Sequence, residues 1–358
     1  MARAPDWALN ASHALTTAAS RIRMISCSTP LNLRSELDRL AERWSRSEES
    51  IPYFIYEAPP DHDEIRRALG ELAAWLDDEG PLGQVYAARA RELSEEASIC
   101  SAVGTERLRT LARGRFRRRD AFDAQADALA AGWLADGHAD CLDEPRVQTD
   151  DEGCAWSLVS RMREELGARR LPYRVVSVRD LSALAATGEG VVQVAMGRSV
   201  TRGDVERTVL HEIEGHVLPR CRAGAIRLGI FSVGTRWGAD DQEGRALVLE
   251  SRAGALARGR RRELAMRHVG ARMLEEGADF VETVRRLLSF GASVQDALRI
   301  TARVQRGGGL GREVVYLPAF LRVEAALAER PELDRVLGSG RVAVDAADVL
   351  WPWVAKDE

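Results

Sequence analysis

The chain has 358 residues, of which 45% are hydrophobic and 30% charged, which is the composition of a globular protein with a full core. The net charge of -4 argues against a general nucleic-acid binder, and no apolar run reaches the length of a membrane span. Five cysteines without a C-x-x-C pair argue against a disulfide framework and a structural zinc knot. We therefore expect a cytoplasmic protein that binds neither nucleic acid nor a membrane.

The N-terminal part of the chain divides into two stretches. Residues 1–29 show little apolar periodicity, and we expect a loose segment there. Residues 30–150 are predicted to form a helical portion, because apolar residues recur at helical spacing, as do Leu33, Leu37, Leu40 and Trp44. Pro52–Tyr56 is short, aromatic and bounded by prolines, which is typical of an extended segment on a core.

Two polar clusters in this portion have competing interpretations. Arg107–Arg119 is the most basic tract of the chain. We favour a solvated helix face or loop for this tract, and a docking surface for an acidic partner is the alternative. His138, Asp140 and Cys141 are residue types that bind metals, but no second cluster matches them, so we favour a loop at the end of a helix.

Residues 151–358 are predicted to form a second, mixed α and β portion. Tyr173–Val178 and Val191–Met196 are rich in β-branched residues, as are the strands of a small sheet. Thr201 and Asp204 have the spacing of a capping box, which predicts the start of a helix at this point. Pro219 is expected to end that helix.

This helix carries the most informative motif of the chain, the run from Val209 to His216. Two histidines, His211 and His216, flank Glu212 within an apolar segment. A hydrolytic zinc site needs imidazole ligands and a carboxylate that accepts a proton from water. The alternative is an ordinary amphipathic helix with two unrelated histidines. The metal interpretation is favoured, because the chain has only six histidines and Glu212 lies where a general base belongs.

The spacing of the two histidines predicts a distorted helix. In the common H-E-x-x-H motif the histidines are about 40° apart around the helix, whereas residues at i and i+5 are roughly 140° apart on a regular helix. A π-bulge brings such positions nearly over one another. Gly215, next to His216, lowers the cost of that distortion.

A third ligand is expected about thirty residues downstream, in Gln242-Glu243-Gly244. Glu243 is our candidate, and Glu250 follows seven residues later on the same helix face. We expect Glu250 to stand behind the metal ligands and to hold an imidazole N–H or a nearby arginine by a hydrogen bond. Gly244 has no side chain, and we expect it to permit close approach of the two helices that share the metal.

These motifs resemble those of a known family. His211-Glu212-Ile213 with His216, and Gln242-Glu243-Gly244 with Ala246, are similar to the bacterial flavohemoglobin expression-modulating QEGLA-motif proteins, whose eukaryotic relatives are the microtubule-associated tyrosine carboxypeptidases. Further similar segments stand in the same order: Pro30-Leu31-Asn32-Leu33, Pro52–Tyr56, Arg303-x-x-Arg306-Gly307-Gly308 and Val315-Tyr316-Leu317. The resemblance covers the chain from about Pro30 to its end.

The resemblance implies a zinc metallopeptidase that removes C-terminal residues. By this resemblance His211, His216 and Glu243 match the zinc ligands, and Glu212 matches the general base. The chain departs from the family pattern at two positions. Glu214 stands where the family usually has glycine, and Arg245 replaces the leucine of QEGLA. Arg245 is a candidate to compensate the added charge of Glu214.

A carboxypeptidase also needs a cation for the terminal carboxylate and a donor for the oxyanion. Arg303 and Arg306, just before Gly307-Gly308-Gly309, are candidates for the carboxylate, and Tyr316 is the candidate oxyanion donor. The alternative is that both arginines are surface residues and that the tyrosine only packs. The glycine run lacks the lysine and hydroxyl residue of a phosphate-binding loop, so we expect a turn.

We therefore predict an α+β, predominantly helical protein with a zincin-like metallopeptidase core, a small β-sheet and a helical N-terminal portion. Its predicted activity is a cytoplasmic, zinc-dependent carboxypeptidase that acts on the C-terminus of a peptide or protein, with Zn²⁺ as its cofactor. The alternatives are an endopeptidase or aminopeptidase for a small peptide, such as a natural-product precursor, and a catalytically silent metal-binding regulatory protein.

Overall fold

The computed structural model describes residues 4–118, 120–136, 144–179 and 181–354. Helices predominate in these ranges, as predicted, and the strands form two small sheets. The part before residue 137 is entirely helical where it is regular, with α1 (Asp6–Arg21), α2 (Met24–Cys27), α3 (Leu33–Ser45), α4 (Asp63–Leu76), α5 (Gly80–Ser101), α6 (Arg107–Phe116) and α7 (Phe122–Ala135).

The second part adds eleven α-helices in its described residues: α8 (Leu158–Ala168), α9 (Arg202–Glu212), α10 (Leu218–Ala225), α11 (Ile230–Val233), α12 (Gly238–Arg252), α13 (Arg258–Glu275), α14 (Phe280–Ser289), α15 (Val294–Val304), α16 (Tyr316–Glu329), α17 (Asp334–Leu337) and α18 (Ala347–Val354). A π-helical segment, Ile213–Val217, joins α9 to α10. Short 3-10 turns cover Arg306–Gly308, Arg312–Val315, Pro331–Leu333 and Val344–Ala346. Among the described residues, no helix has both the length and the hydropathy that crossing a membrane requires.

The strands lie between α7 and α9, in the region that the sequence predicted to contain them. They are β1 (Arg146–Gln148), β2 (Arg174–Val178), β3 (Ala185–Thr187), β4 (Val191–Ala195) and β5 (Ser199–Thr201). In the three-stranded sheet the central β4 pairs in parallel with β2 and antiparallel with β3, so β3 is an edge strand. The pair β1–β5 is antiparallel, and β5 leads directly into α9.

Two apolar clusters hold these elements together. The larger cluster unites helices from both ends of the chain, from Ala8 in α1 to Val354 in α18. The smaller cluster packs β4 and α8 against α9 and the π-helical segment, with Val205, Val209, Ile213 and Val217 at four-residue spacing on the helical side. The metal-motif helix is therefore fixed on its apolar face by the sheet. The division of the chain at residues 30 and 151 stays a prediction.

The expectation of a loose N-terminal segment over residues 1–29 is wrong for the residues described. Helix α1 has sixteen residues and buries Ala8, Ala11, Leu15 and Ala18. Its buried face consists mainly of alanines, whose small hydrophobicity gives a weak periodic signal in sequence. Alanine nevertheless favours the helix strongly and permits close packing against α5.

The basic tract is a solvated face only in part: Arg107, Arg109 and Arg113 are exposed, as predicted, but Arg115 and Arg118 are not. Arg115 in α6 is 1% exposed and forms ion pairs with Glu92, Glu96 and Asp240. Arg118 lies close to Asp241 and Asp345. The tract thus contributes internal ion pairs that join α6 to α5 and α12. Arg119, like His138, Asp140 and Cys141, lies outside the described residues.

Candidate functional site

The helix that carries His211 begins and widens as the sequence predicts, but Pro219 does not end it, because it lies in the first turn of α10, which continues to Ala225. Thr201 accepts a hydrogen bond from the backbone N–H of Asp204, and Asp204 accepts one from the backbone N–H of Thr201, which completes the capping box. After α9 the chain widens into the π-helical segment, in which the N–H of Leu218 donates to the carbonyl of Ile213. The predicted π-bulge is confirmed, and it brings His211 and His216 to one side of the helix.

Three side chains converge on this side. The Nε2 atoms of His211 and His216 are 3.3 Å apart. The Oε2 atom of Glu243, on α12, lies 3.6 Å from the first of these atoms and 3.8 Å from the second. Two nitrogens and one carboxylate oxygen therefore form a small triangle between the two helices.

The triangle has dimensions that suit a zinc ion. Ligands about 2.0–2.1 Å from a tetrahedral zinc are roughly 3.4 Å from one another. The three donor separations of 3.3, 3.6 and 3.8 Å approach that value without a change of backbone. Two imidazoles and one carboxylate are also a donor set that catalytic zinc sites use, with one position left for water.

Both imidazoles are oriented by hydrogen bonds on their far side. His211 Nδ1 donates to Glu250 Oε1 at 2.6 Å, and Glu250 is fully buried. His216 Nδ1 donates to Gln242 Oε1 at 3.2 Å. With the protons on Nδ1, both Nε2 lone pairs point into the triangle, which is the tautomer a metal requires. The predicted contact of Glu250 with an imidazole N–H is confirmed, and Glu250 also accepts hydrogen bonds from Arg260.

The pKa values of these groups reflect a concentration of negative charge. Burial alone lowers the pKa of His211, but hydrogen bonds to Glu243 and Glu250 raise it to about 10. The pKa of His216 is lowered, because burial and the neighbouring His211 disfavour its charged form. Burial opposes ionisation of Glu243, yet His211, His216 and Arg312 hold its pKa well below the usual range. The carboxylates of Glu212, Glu243 and Glu250 thus surround the two imidazoles with negative charge, which favours a bound cation.

The two helices approach each other through a glycine, although a different one from that predicted. A Cβ atom on Gly215 would lie 2.7 Å from the Cβ of Ala246, so Gly215 allows the π-helical segment to lie on α12. A Cβ on Gly244 would instead lie 2.4 Å from the carbonyl oxygen of Ala319. Gly244 therefore serves the packing of α12 on α16, because it lies on the other face of α12. The expectation for Gly244 is therefore wrong. The close approach of the two ligand-bearing helices, which was predicted for Gly244, is permitted by Gly215 instead.

Glu212 is buried beside the triangle and is held by the sheet. Its Oε2 accepts a hydrogen bond from Thr187 Oγ1 at 2.7 Å, and Thr187 is the last residue of the edge strand β3. Its negative charge acts on both His211 and His216. The second oxygen of the carboxylate has no hydrogen bond to another described residue.

The charge of Glu214 is compensated by an arginine other than the predicted one. Its carboxylate accepts a hydrogen bond from Arg169 of the turn after α8. Arg245 pairs with Asp334 at 2.8 Å and donates to the main-chain carbonyl of Glu214 at 3.0 Å. Arg245 thus supports the backbone of the π-helical segment, because its position on α12 directs the guanidinium to that backbone. The Glu214 carboxylate itself is turned towards α8.

A chain of hydrogen bonds leads from Glu243 of the triangle to Tyr316, Arg303 and Arg306. Arg312 donates to Glu243 Oε1 at 3.2 Å and to the hydroxyl oxygen of Tyr316 at 3.3 Å. Arg303 donates to the same hydroxyl oxygen at 3.3 Å. Arg306 is 8% exposed and its Nε donates to the carbonyl of Arg303 at 3.0 Å. The alternative that both arginines are surface residues is wrong, since Arg303 is partly buried and Arg306 is buried.

The sequence interpretation missed three residues of this region. Gln242 was visible as part of the motif, but nothing in its spacing indicated a bond to His216. Thr187 and Arg312 gave no signal, because their contacts with Glu212 and Glu243 depend on the folding of β3 and of the turn before α16. The turn is built on Gly307, Gly308 and Gly309, all with positive φ, as expected for a turn rather than a phosphate-binding loop.

Comparisons with known proteins identify a family for this chain. A protein-family model described as microtubule-associated tyrosine carboxypeptidase matches residues 44–357, which include every residue of the site described above. Comparison with curated proteins and with solved structures gives no match.

Proposed function

This chain belongs to the microtubule-associated tyrosine carboxypeptidase family, and we propose that it is a zinc-dependent carboxypeptidase that removes the C-terminal residue of a peptide or protein. The observation that carries the proposal is the triangle of donor atoms from His211, His216 and Glu243, with separations of 3.3–3.8 Å. The family match supports the carboxypeptidase activity, and the donor set supports its dependence on a metal.

In this proposal His211, His216 and Glu243 bind Zn²⁺, while Glu250 and Gln242 orient the two imidazoles. Zinc held by these residues would supply a Lewis acid for the scissile carbonyl and would lower the pKa of the attacking water towards about 7. The bonds from the imidazoles to Glu250 and Gln242 keep the ligands in place before the metal arrives, which reduces the cost of binding.

Glu212 is the general base of the proposed reaction. It accepts a proton from the attacking water and then delivers that proton to the leaving amine. Its hydrogen bond from Thr187 supports this role, because it fixes one carboxylate oxygen and leaves the other for water. The same bond couples the base to the edge strand β3, along which an extended peptide can add as a further strand.

Tyr316 is the proposed donor to the developing oxyanion. A phenolic oxygen has two lone pairs and one proton. Arg303 and Arg312 both donate to this oxygen at 3.3 Å, so they use its acceptor capacity. The phenolic proton is left to donate to the substrate. The two guanidinium groups also favour negative charge near the hydroxyl, which strengthens it as a donor.

Arg303 and Arg306 are the proposed receptors of the terminal carboxylate. They lie one helical turn apart, beyond Tyr316 as seen from the metal ligands. A carboxylate bound by a planar guanidinium accepts two parallel hydrogen bonds, which selects a chain end over an internal peptide bond. This selection separates a carboxypeptidase from the endopeptidase and aminopeptidase alternatives.

Metal content is the first test. Protein purified without added metal should contain about one zinc per chain, and the His211→Ala, His216→Ala double variant should contain none while remaining folded. Circular dichroism of both proteins provides the folding control. A well-folded wild type that contains no zinc and does not bind added zinc would contradict the proposal.

Product analysis is the second test. With unblocked peptides, the wild type should release single C-terminal amino acids, and peptides amidated at the C-terminus should resist cleavage. Glu212→Gln should retain zinc and lose at least about 100-fold in turnover, as expected for a general base. Internal fragments would favour an endopeptidase, and released N-terminal residues an aminopeptidase. Bound zinc without any hydrolysis would favour a regulatory metal-binding protein.

A further inference from the structure

A cavity rich in arginine lies beside the candidate site. It has a volume of about 260 Å³ and is formed by α3, α15 and the chain that follows β2 and β4. Six arginines line it: Arg34, Arg179, Arg198, Arg299, Arg303 and Arg306. Asp38 is the single carboxylate among its described lining residues. The volume is just below the roughly 300 Å³ at which pockets for drug-sized ligands begin, so it suits one amino-acid residue.

Only two of these arginines are neutralised within the described part of the chain. Arg299 pairs with Asp296 at 3.1 Å, and Arg303 pairs with Glu313 at 2.8 Å. Arg34, Arg179, Arg198 and Arg306 have no carboxylate within 4.0 Å among residues 4–118, 120–136, 144–179 and 181–354. The cavity therefore holds more positive charge than its described surroundings balance.

Arg306 makes this imbalance costly. Its side chain is buried, and its only hydrogen bond to a described residue runs from Nε to the carbonyl of Arg303. Burial and the charge of Arg303 lower the pKa of Arg306 to about 10. Burial and the charge of Arg299 likewise lower the pKa of Arg198. A buried charge without a counterion is unfavourable, and a bound anion supplies the missing counterion.

Two segments connect the cavity with the candidate site. Arg303 lines the cavity and also donates to Tyr316, which Arg312 links to Glu243. Leu181 and Ser182 line the cavity shortly before β3 begins, and β3 ends at Thr187, which binds Glu212. The cavity therefore lies at the side of the site where the proposed function places the C-terminal residue of the substrate.

We propose that this cavity is a subsite for an acidic side chain on the C-terminal residue, so that the preferred substrates end in glutamate. The inference rests on the proposed function, in which Arg303 and Arg306 bind the terminal carboxylate. Arg198 then faces the side-chain carboxylate, with Arg34 and Arg179 at the exposed mouth. Leu33, Leu37 and Met196, which also line the cavity, cover the methylene groups of a glutamate.

A neutral side chain would fit this environment poorly. It would remove water from Arg198 and Arg306 without supplying a counterion, and desolvated guanidinium groups without partners are costly. A carboxylate forms charge-assisted hydrogen bonds with the same groups, and the planar guanidinium matches its two oxygens.

The test compares three peptides of identical sequence that end in glutamate, glutamine or tyrosine. Binding to zinc-loaded Glu212→Gln protein is measured by calorimetry, so that hydrolysis does not interfere. The glutamate peptide should bind about tenfold to a hundredfold more tightly than the glutamine peptide, which corresponds to one charged hydrogen bond. Equal affinity of these two peptides, or tighter binding of the tyrosine peptide, would overturn the proposal.

Substitutions in the cavity identify the arginine that is responsible for the preference for glutamate over glutamine. Arg198→Gln should reduce the preference for glutamate over glutamine about tenfold, and Arg198→Lys should restore part of it. Arg34→Gln, on the exposed face of α3, provides a second cavity variant that does not disturb the fold. Arg46→Gln is the matched control, because Arg46 is an exposed arginine at the end of the same helix and pairs with Glu42. An unchanged preference in both cavity variants would overturn the proposal.

Turnover by the wild type separates this inference from the proposed function. If glutamate-ended peptides bind preferentially but no amino acid is released from any peptide, the carboxypeptidase activity is wrong and the anionic subsite stands. If amino acids are released without preference for glutamate, the subsite is wrong and the carboxypeptidase activity stands.

Discussion

The donor triangle and the arginine cavity differ in whether their side chains have partners within the protein. In the triangle, each donor side chain has a protein partner: Glu250 for His211, Gln242 for His216 and Arg312 for Glu243. In the cavity, four of six arginines have no carboxylate partner among the described residues. Partners on every donor hold the triangle in one geometry before an ion binds. The cavity reaches charge balance only when an anion enters. The first region is therefore organised for an ion of fixed geometry, and the second for a ligand that arrives and leaves.

Removal of Glu313, a buried counterion beside the cavity, is expected to have the largest effect. Glu313 is 2% exposed and accepts hydrogen bonds from Arg267 at 2.5 Å and Arg303 at 2.8 Å. Glu313→Gln leaves both guanidinium groups buried without a full counterion, so the free energy of unfolding should fall by about 3–5 kcal/mol. Urea unfolding measures this change. Glu49→Gln, which breaks the exposed pair with Arg285, should leave the free energy of unfolding nearly unchanged. A similar loss in both variants would contradict the expected contrast.

The carboxylate of Glu313 should also account for part of the loss of stability at low pH. Burial disfavours its ionisation, but Arg267, Arg303 and Arg306 lower the pKa of Glu313 from 4.5 to about 2. Because the folded pKa is below the unfolded one, the stabilisation is complete above about pH 4.5 and is lost as the pH falls towards 2. Unfolding measured across this range should therefore show a steeper loss for the wild type than for Glu313→Gln. Parallel curves would contradict this assignment.

The fixed geometry of the triangle should depend on the contact between the π-helical segment and α12. Gly215→Ala places a methyl group 2.7 Å from the Cβ of Ala246, and such overpacking typically costs about 1–3 kcal/mol. The zinc affinity of Gly215→Ala should fall as well, because the helices that carry the ligands move apart. Gly224→Ala in α10 is the matched control, since no atom lies within 4 Å of its added Cβ. This control should stabilise the helix slightly. Equal changes of stability and zinc affinity in the two variants would mean that the contact of Gly215 with Ala246 does not set the distance between the helices that carry the ligands.

The outer partner of His211 should affect metal binding without entering the triangle. Glu250→Gln weakens the bond that orients the imidazole, and zinc affinity should fall about 10–100-fold. Competition with a chromophoric chelator measures this affinity. Glu263→Gln removes another carboxylate that pairs with Arg260 but does not touch His211, and it should keep an affinity close to that of the wild type. If both variants bind zinc equally, Glu250 does not orient the ligand.

The smallest expected change in the free energy of unfolding comes from a cavity arginine that has no ion pair, in contrast to one that has. Arg306→Met removes a buried charge that has no carboxylate within 4.0 Å among the described residues, and it should raise the free energy of unfolding by about 1 kcal/mol at pH 7. Because the folded pKa of Arg306, about 10, is below its unfolded value, the penalty is complete below pH 10 and is relieved as the pH rises further. The gain should therefore shrink above pH 10. Arg303→Met, which deprives Glu313 of a partner, should instead destabilise the protein at pH 7. Destabilisation by both substitutions would show that Arg306 has a counterion.

The donor triangle was largely predictable from sequence because its information is local. The five-residue spacing of His211 and His216 required a π-bulge, and the seven-residue spacing of Glu243 and Glu250 placed both on one face of α12. The cavity was not predictable in the same way. Its arginines come from separate segments between Arg34 and Arg306, and no spacing connects them. Arg303 and Arg306 were noticed, but their shared cavity with Arg198 depends on how α3, α15 and the sheet pack.

The π-helical segment at Ile213–Val217 also bears on how this chain tolerates insertions and deletions. Relative to an H-E-x-x-H helix, it carries one additional residue between the histidines. Deletion of that residue would return the histidines to adjacent turns of a regular helix, so the ligand pair itself would survive. Because the π-bulge absorbs the additional residue, the helical segments on its two sides would keep their relative orientation when both are lost together. Helix α10, with Pro219 and Ala223 on its buried face, would therefore keep that face against its neighbours. Gene variants that lack one codon here should thus retain both the paired imidazoles and the fold of the following helix.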